Sequence, residues 1–292
     1  MKSKRIEVQV RDICMEAVEV LPEHAPNAET VICVHGFPDN LHSFDLILPD
    51  LAAAGFRALS VCLPGYSPKS LIPDGNYSLP NVARYMLGLL DALGLKDVLY
   101  VGHDYGGIIA ADMVDAQPER IRRLAVLSYF PLYKNRENMR LNIRQFYNFW
   151  YVTMIVAGAG WIEEAAKAGD YGLLDVIWRT WSPGWNYPKA MLDDVKRTFR
   201  RKGVTVAAMS YYHQRKRPPE DEARVENLEF PMPTLMVGGT TDGCAAAGMF
   251  KNCDTSKYIG GFKLVMLESG HFPQRENPAA LCAELIPFLT AG

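Results

Sequence analysis

Apolar residues fall along this chain in short blocks whose spacing changes from one block to the next. Arg5–Val10 alternates polar and apolar positions, and Met15–Val20 reads similarly, as strands with one exposed face. Thr30–Val34 and Phe56–Val61 are short, nearly unbroken apolar runs, the pattern of strands buried on both sides. Leu79–Leu93 has helical spacing: Val82, Met86, Leu89, Leu90 and Leu93 share one face, and Gly94 follows as a stop signal. Val98–Gly102 is another buried strand, Ile108–Ala116 a helix with Pro118 beyond it, and Leu124–Leu127 the next strand.

Alternating strands and helices imply a mostly parallel sheet with helices on both faces. The rhythm breaks near Pro131. From about Tyr133 to Pro219 the pattern is helical and rich in Tyr, Trp and Arg, including Trp178, Trp181 and Trp185 around Ser182-Pro183-Gly184. Pro233–Gly238 and Phe262–Leu267 resume the buried-strand pattern, and Ala279–Leu289 closes the chain as a helix. The simplest account is a sheet domain, residues 1–132 and 220–292, interrupted by a helical cap, residues 133–219. Such an insertion is expected over the carboxyl ends of the strands, where open α/β sheets bind ligands.

Composition narrows the function classes. With 292 residues, 49% of them hydrophobic, the chain can bury a large core without disulfides or a structural metal. The formal charge is −2 and no block of like charge stands out, so nucleic acid is not expected as a partner. The basic clusters Arg197–Lys202 and Arg215–Arg217 read as solvated surface. Six cysteines at 14, 33, 62, 244, 253 and 282 form no C-x-x-C pair, and Cys33 and Cys62 lie inside apolar runs. Isolated thiols suit a reducing compartment, so a cytoplasmic location is expected. The first residues carry no apolar stretch behind their charges, which argues against a signal peptide, and no run of about 18 apolar residues suggests a membrane span.

Three strand-to-loop junctions carry the candidate chemistry. In Val98–Gly107 a buried strand runs into Gly102-His103-Asp104-Tyr105-Gly106 and then a helix. This is the nucleophile-elbow pattern with Asp in the serine place. Small residues flank the acid because the turn is tight and the helix must pack close to the strand. The helix N-terminus would help to keep the carboxylate ionised. Asp104 is also a good helix N-cap, and the turn alone leaves both readings open. The second junction is His35-Gly36-Phe37-Pro38, where the backbone N–H groups of Phe37 and Tyr105 could meet as an oxyanion hole. The third is Glu268-Ser269-Gly270-His271, which puts His271 where a general base belongs. Asp242, after the strand Pro233–Gly238, is the expected partner acid, with Glu268 as a weaker rival. The order acid nucleophile, acid, base is that of the α/β-hydrolases. His103 is expected to pack beneath the elbow. No cluster suggests a metal or organic cofactor.

At these residues the chain resembles the epoxide hydrolase branch of the α/β-hydrolase superfamily, most clearly at His35–Pro38, Gly102–Gly107, Asp242 and Gly270–His271. The resemblance implies a mostly parallel eight-stranded sheet and opening of a small apolar epoxide to a vicinal diol through an ester on Asp104. It also implies two cap tyrosines that hold the epoxide oxygen. Tyr147, in Phe146-Tyr147-Asn148-Phe149-Trp150, is one candidate, with Tyr151 close by; Tyr212, in Ser210-Tyr211-Tyr212-His213, is the other. His35, Pro38, Trp150 and Tyr211 are expected to touch substrate, and the sequence leaves room for a homodimer. Tyr105 and Phe272 stand where tryptophans are common, which could alter substrate range; His213 replaces a usual arginine. Two other functions compete: a haloalkane or haloacid dehalogenase with the same nucleophile, and a non-catalytic ligand-binding protein on this scaffold.

Overall fold

A computed structural model describes residues 2–24, 28–129 and 143–291. Eight strands form one sheet: β1 (Ser3–Val10), β2 (Ile13–Val20), β3 (Thr30–Val34), β4 (Arg57–Val61), β5 (Val98–His103), β6 (Ile121–Leu127), β7 (Thr234–Gly239) and β8 (Phe262–Leu267). Their order is β1-β2-β4-β3-β5-β6-β7-β8. Pairing is antiparallel for β1 with β2 and β2 with β4, and parallel from β4 to β8. The expected eight-stranded, mostly parallel sheet is therefore present. Burial follows the sequence pattern in β1, which is largely exposed, and in β3, β5 and β7, where every residue is buried. Two strands depart from it: β2, expected to keep one face exposed, is buried along Met15–Val20 because it pairs between β1 and β4, and β8, expected to be buried, is the other edge strand and is mostly half-buried with Lys263 exposed.

Helices α1 (Leu48–Ala53), α2 (Leu79–Ala92) and α3 (Tyr105–Ala116) connect the first six strands. On α2, Val82, Met86, Leu89 and Leu90 are buried as their spacing predicts, and Leu93 just beyond it is half-buried. Helix α3 begins at Tyr105, three residues before its expected start. Gly106 and Gly107 are poor helix formers, but a tertiary demand overrides that preference. A Cβ on Gly106 would lie 2.2 Å from the Val34 carbonyl oxygen, so only glycine lets α3 start against β3.

Between β6 and β7 the described chain is helical: α4 (Ile143–Asn148), α5 (Trp150–Ala157), α6 (Ile162–Trp181), α7 (Lys189–Arg200), α8 (Val204–His213) and α9 (Pro219–Glu226). Helix α6 is interrupted at Ala168, Gly169, Asp170 and Tyr171. The rhythm break at Pro131 and the start of the cap at residue 133 lie outside the described residues. Short helices α10 (Ala247–Lys251) and α11 (Pro273–Glu276) and the closing α12 (Pro278–Thr290) complete the chain.

The inserted helices sit on the carboxyl ends of the strands. Trp178 and Trp181 of α6 are fully buried, and the Trp178 indole N–H donates to the Pro38 carbonyl at 3.0 Å. Phe199 of α7 meets the Phe37 ring edge-on at 5.8 Å. Truncating anchors of this size typically costs about 3–5 kcal/mol, so the insertion is held on the sheet by packing. All six cysteines are free thiols. Among the described residues no helix is long and apolar enough to cross a membrane.

Candidate active site

Strand register brings the key loops to one edge. Val34 pairs with Gly102, and Gly239 with Leu267, so the loops after β3, β5, β7 and β8 leave the sheet at its carboxyl end. Asp104 occupies the turn between β5 and α3 with φ 50° and ψ −115°, and its side chain makes no helix-capping bond. The capping alternative therefore fails. A non-glycine residue in this region stores roughly 1–3 kcal/mol of strain, here held by the packing of β5 and α3.

The Asp104 carboxylate instead faces the loop after β3. Oδ1 accepts from the Phe37 N–H at 2.8 Å, and the Tyr105 N–H adds a weaker pull on the carboxylate. Both expected oxyanion donors thus converge on one group. Gly36 makes the approach feasible, since a Cβ there would come within 2.4 Å of the Asp104 side chain. Burial pushes the Asp104 carboxyl up to about 6, against the opposing pull of His271 and the two N–H groups.

His271 stands 3.8 Å from Asp104 Oδ2 through Nε2. Its Nδ1 lies 3.0 and 3.2 Å from the two Asp242 oxygens, which assigns a proton to Nδ1, and Nε2 has no hydrogen-bond partner among the described residues. Asp242 Oδ1 also accepts from the Cys244 and Ala245 N–H groups at 2.7 and 2.8 Å, which fixes the acid. Burial lowers the His271 pKa, but Asp242 and Asp104 outweigh it and hold it above the ordinary value. Glu268 is exposed and takes no part. The imidazole is further located by its backbone. The His271 N–H donates to Ser182 Oγ at 3.0 Å, and Glu276 accepts from Ser182, Gly270 and Phe272. His103 lies beneath, donating from Nε2 to the His271 carbonyl at 2.8 Å. Burial holds its pKa near 3, so it stays neutral.

Above Asp104 is a small cavity of about 50 Å³ lined by Asp104, Tyr151, Tyr212, Ser128 and Cys244, among others. Tyr212 is 2% exposed and its hydroxyl has no partner among the described residues. Tyr151 is 3% exposed, and its hydroxyl lies 3.4 Å from Cys244 Sγ. Burial pushes both phenols well above their ordinary pKa, so both keep their protons. Tyr147 does not share this space: it is 74% exposed. Tyr147 and Tyr151 look like neighbours on one helix face, but Phe149 breaks the chain between α4 and α5, and only Tyr151 turns inward.

Four expected substrate contacts are otherwise engaged. The His35 Nδ1 donates to the Gly36 carbonyl and its Nε2 accepts from the Leu63 N–H, so the ring is a neutral brace. Pro38 spends its carbonyl on Trp178. Tyr211 donates to the Pro64 carbonyl at 2.6 Å, facing away from the cavity, and Trp150 is half-buried outside its lining. The basic stretch Arg215–Arg217 is not simple solvated surface either. Arg217 bonds Asp112 with both arms at 2.6 Å, and Arg215 lines the cavity wall. Sequence reasoning also passed over Ser182 and Glu276, which no local pattern marks, and Gln145. The Gln145 side chain bonds the Cys244 carbonyl and the Ala246 N–H, tying α4 to the Asp242 loop. Among the described residues no group of His, Cys, Asp and Glu could hold a metal ion.

A carboxylate facing backbone N–H donors, with an imidazole nitrogen beside it, can serve as a nucleophile whose ester is then attacked by water. Proteins named epoxide hydrolases resemble this chain. The chain is 25% identical over 308 residues to epoxide hydrolase A of Mycobacterium tuberculosis, covering 94% of each. It is 39% identical over 99 residues to bifunctional epoxide hydrolase 2 of Sus scrofa, a match that spans 33% of this chain and 18% of that protein. The crystal structure of epoxide hydrolase A from Mycobacterium thermoresistibile superposes with a TM-score of 0.80 at 20% identity, covering 99% of this chain and 98% of that one. Residues 29–278 match the α/β-hydrolase fold family as a whole. With its eight-stranded sheet and its nucleophile, acid and base candidates in loops at one end of that sheet, the chain belongs to the α/β-hydrolase fold family.

Proposed function

We propose that the protein opens small apolar epoxides to vicinal diols through a covalent ester on Asp104, with residues 133–219 as the cap over the reaction. One observation carries this reading. The Asp104 carboxylate and two protonated phenols, Tyr151 and Tyr212, line the same 50 Å³ cavity, with His271 Nε2 3.8 Å from the carboxylate.

Asp104 attacks an epoxide carbon and the carbon–oxygen bond breaks. Tyr151 and Tyr212 hydrogen-bond the departing oxygen and supply its proton, which is regained from solvent. The product of this half is an ester with a free hydroxyl. Esterification removes the charge on Asp104, and with it one cause of the raised His271 pKa. The imidazole is thereby readied to act as a base at the moment one is needed. His271 takes a proton from water, the hydroxide adds to the Asp104 carbonyl carbon, and the oxyanion rests on the Phe37 and Tyr105 N–H groups. Collapse of this intermediate expels the alkoxide, which takes the proton back from His271 and leaves as the diol; the Asp104 carboxyl, now holding a solvent oxygen, loses its proton to solvent.

The test is a single turnover in ¹⁸O-labelled water with enzyme in excess over styrene oxide. Label is expected in the Asp104 peptide and not in the diol; label in the first diol would remove the covalent step. The dehalogenase reading calls for N–H donors at the cavity. The Trp181 indole N–H is buried without a partner among the described residues, but Trp181 does not line the cavity, and the phenols do. Halide release from chloro- or bromoalkanes without epoxide turnover would reverse that preference. Tight ligand binding without turnover, unaffected by Asp104→Asn, would favour the non-catalytic reading.

A further inference from the structure

The 50 Å³ space at Asp104 has room for an epoxide ring and little more. It shares Tyr105, Ile108, Tyr129, Val152, Tyr212 and Arg215 with a larger cavity of about 660 Å³. That volume lies within the range that holds a ligand of drug size. A substrate filling both has a small reactive head and a longer tail. The walls of the larger cavity are mostly apolar, with Leu79, Ile108, Val152, Val156 and Val225 among them.

Its basic groups differ in what they have left to offer. His213 faces Glu163 at 3.0 Å, and Arg217 is taken up by both oxygens of Asp112. Lys216 is exposed. Arg215 is half-buried at the junction of the two cavities and has no carboxylate partner among the described residues. Its positive charge reaches the Tyr105 phenol, where it opposes the upward push of burial on that group. A half-buried guanidinium beside an apolar channel is costly to leave unpaired, and a carboxylate is its best planar partner.

We propose that Arg215 is a specificity residue that binds a carboxylate on the tail of the substrate, so that the preferred substrates are epoxides of apolar carboxylic acids. This assignment rests on the reading of the site as an epoxide hydrolase. Of the charged residues lining the larger cavity, Arg215, Lys216, Arg217 and Glu222, only Arg215 also lines the space at Asp104, and the assignment makes the chain length between epoxide and acid the determinant of fit.

The experiment uses terminal epoxides of C5 to C9 carboxylic acids, each beside its primary amide, with wild-type, Arg215→Gln and Arg215→Lys enzymes. Wild type is expected to favour the acid over the amide by about ten- to a hundred-fold in kcat/KM at one or two chain lengths, mainly through KM. Arg215→Gln should bring that ratio close to unity, and Arg215→Lys should retain part of it. Equal losses on acid and amide, or a preference that survives Arg215→Gln, would overturn the assignment. Calorimetric binding of heptanoate against heptanamide reads the same subsite without turnover. Arg215-dependent heptanoate binding with no epoxide turned over would sink the epoxide reading and keep the anion subsite. Epoxide turnover with no acid preference would do the reverse.

Discussion

Two buried aspartates on neighbouring loops, Asp39 and Asp104, show how one side chain becomes a brace and the other a reagent. Asp39 is fully buried and fully partnered. Arg275 reaches it with two bonds at 2.6 and 3.0 Å, Ser43 adds a third at 2.7 Å, and the Asn40 N–H a fourth at 2.8 Å. Burial pushes its carboxyl up, but these partners more than reverse the push and hold it below the usual range. Asp104 is also buried, yet it faces only two N–H groups on one side and an imidazole 3.8 Å away on the other. Burial wins there, and the carboxyl sits near 6. Saturating an anion makes it inert. Leaving it partly unsatisfied in a buried cavity keeps it reactive and makes it a burden on stability.

Removing each acid's chemistry should therefore have opposite effects. Asp104→Asn should lower epoxide turnover by about 10⁴-fold or more, because the nucleophile is gone. It should also stabilise the fold. The folded-state pKa of Asp104 lies above the ordinary 3.8, so its ionisation weakens folding as pH rises from about 4 to 6, and the penalty is complete above that range. At pH 7.5 the amide should gain about 1–3 kcal/mol, or roughly 2–6 °C in Tm by calorimetry. An unchanged or lower Tm would place the burden elsewhere.

Arg275→Ala should act on stability first. It leaves Asp39 buried with two neutral hydrogen bonds and no countercharge, at a cost of about 3–5 kcal/mol in urea unfolding, whereas a combined Asp39→Asn, Arg275→Met variant should recover much of the loss. Next in size are the phenols. Tyr212→Phe and Tyr151→Phe should each slow ester formation by about 10²-fold in stopped-flow traces, with Tyr147→Phe at the wild-type rate. A slow Tyr147→Phe enzyme beside a normal Tyr151→Phe enzyme would invert the assignment. The smallest effect is on pH. The rate of ester formation should fall as Asp104 takes up a proton below about pH 6, whereas the brace at Asp39 should remain ionised through that range.

What could be read in the chain itself follows the same division between local and distant causes. The strands are legible because burial on both faces demands continuous apolar runs, and β3, β5 and β7 are short enough to show them whole. Asp104 and Asp242 stand in loops that follow buried strands and His271 in the loop after the half-buried β8, so a local pattern of strand, small residues and turn suffices to locate them. The start of α3 is not local: Gly106 argues against a helix until β3 is seen pressed against it. Tyr151 could not be separated from Tyr147 because the break at Phe149 re-aims the second tyrosine. His35, Pro38 and Tyr211 look available in the sequence, yet each is engaged by a residue distant along the chain, Leu63, Trp178 and Pro64 respectively. Arg215 reads as one of three surface cations, and only the cavity wall distinguishes it from its neighbours.

The central claim is that Asp104 forms a covalent bond to substrate and that His271 is needed only to break it. It is tested most directly by mixing His271→Gln with styrene oxide and weighing the intact protein. The account predicts one added equivalent of the epoxide, mapped by peptide analysis to Asp104 and absent from an Asp104→Asn, His271→Gln control. A folded His271→Gln enzyme that gains no mass, or gains it on another residue, would contradict it.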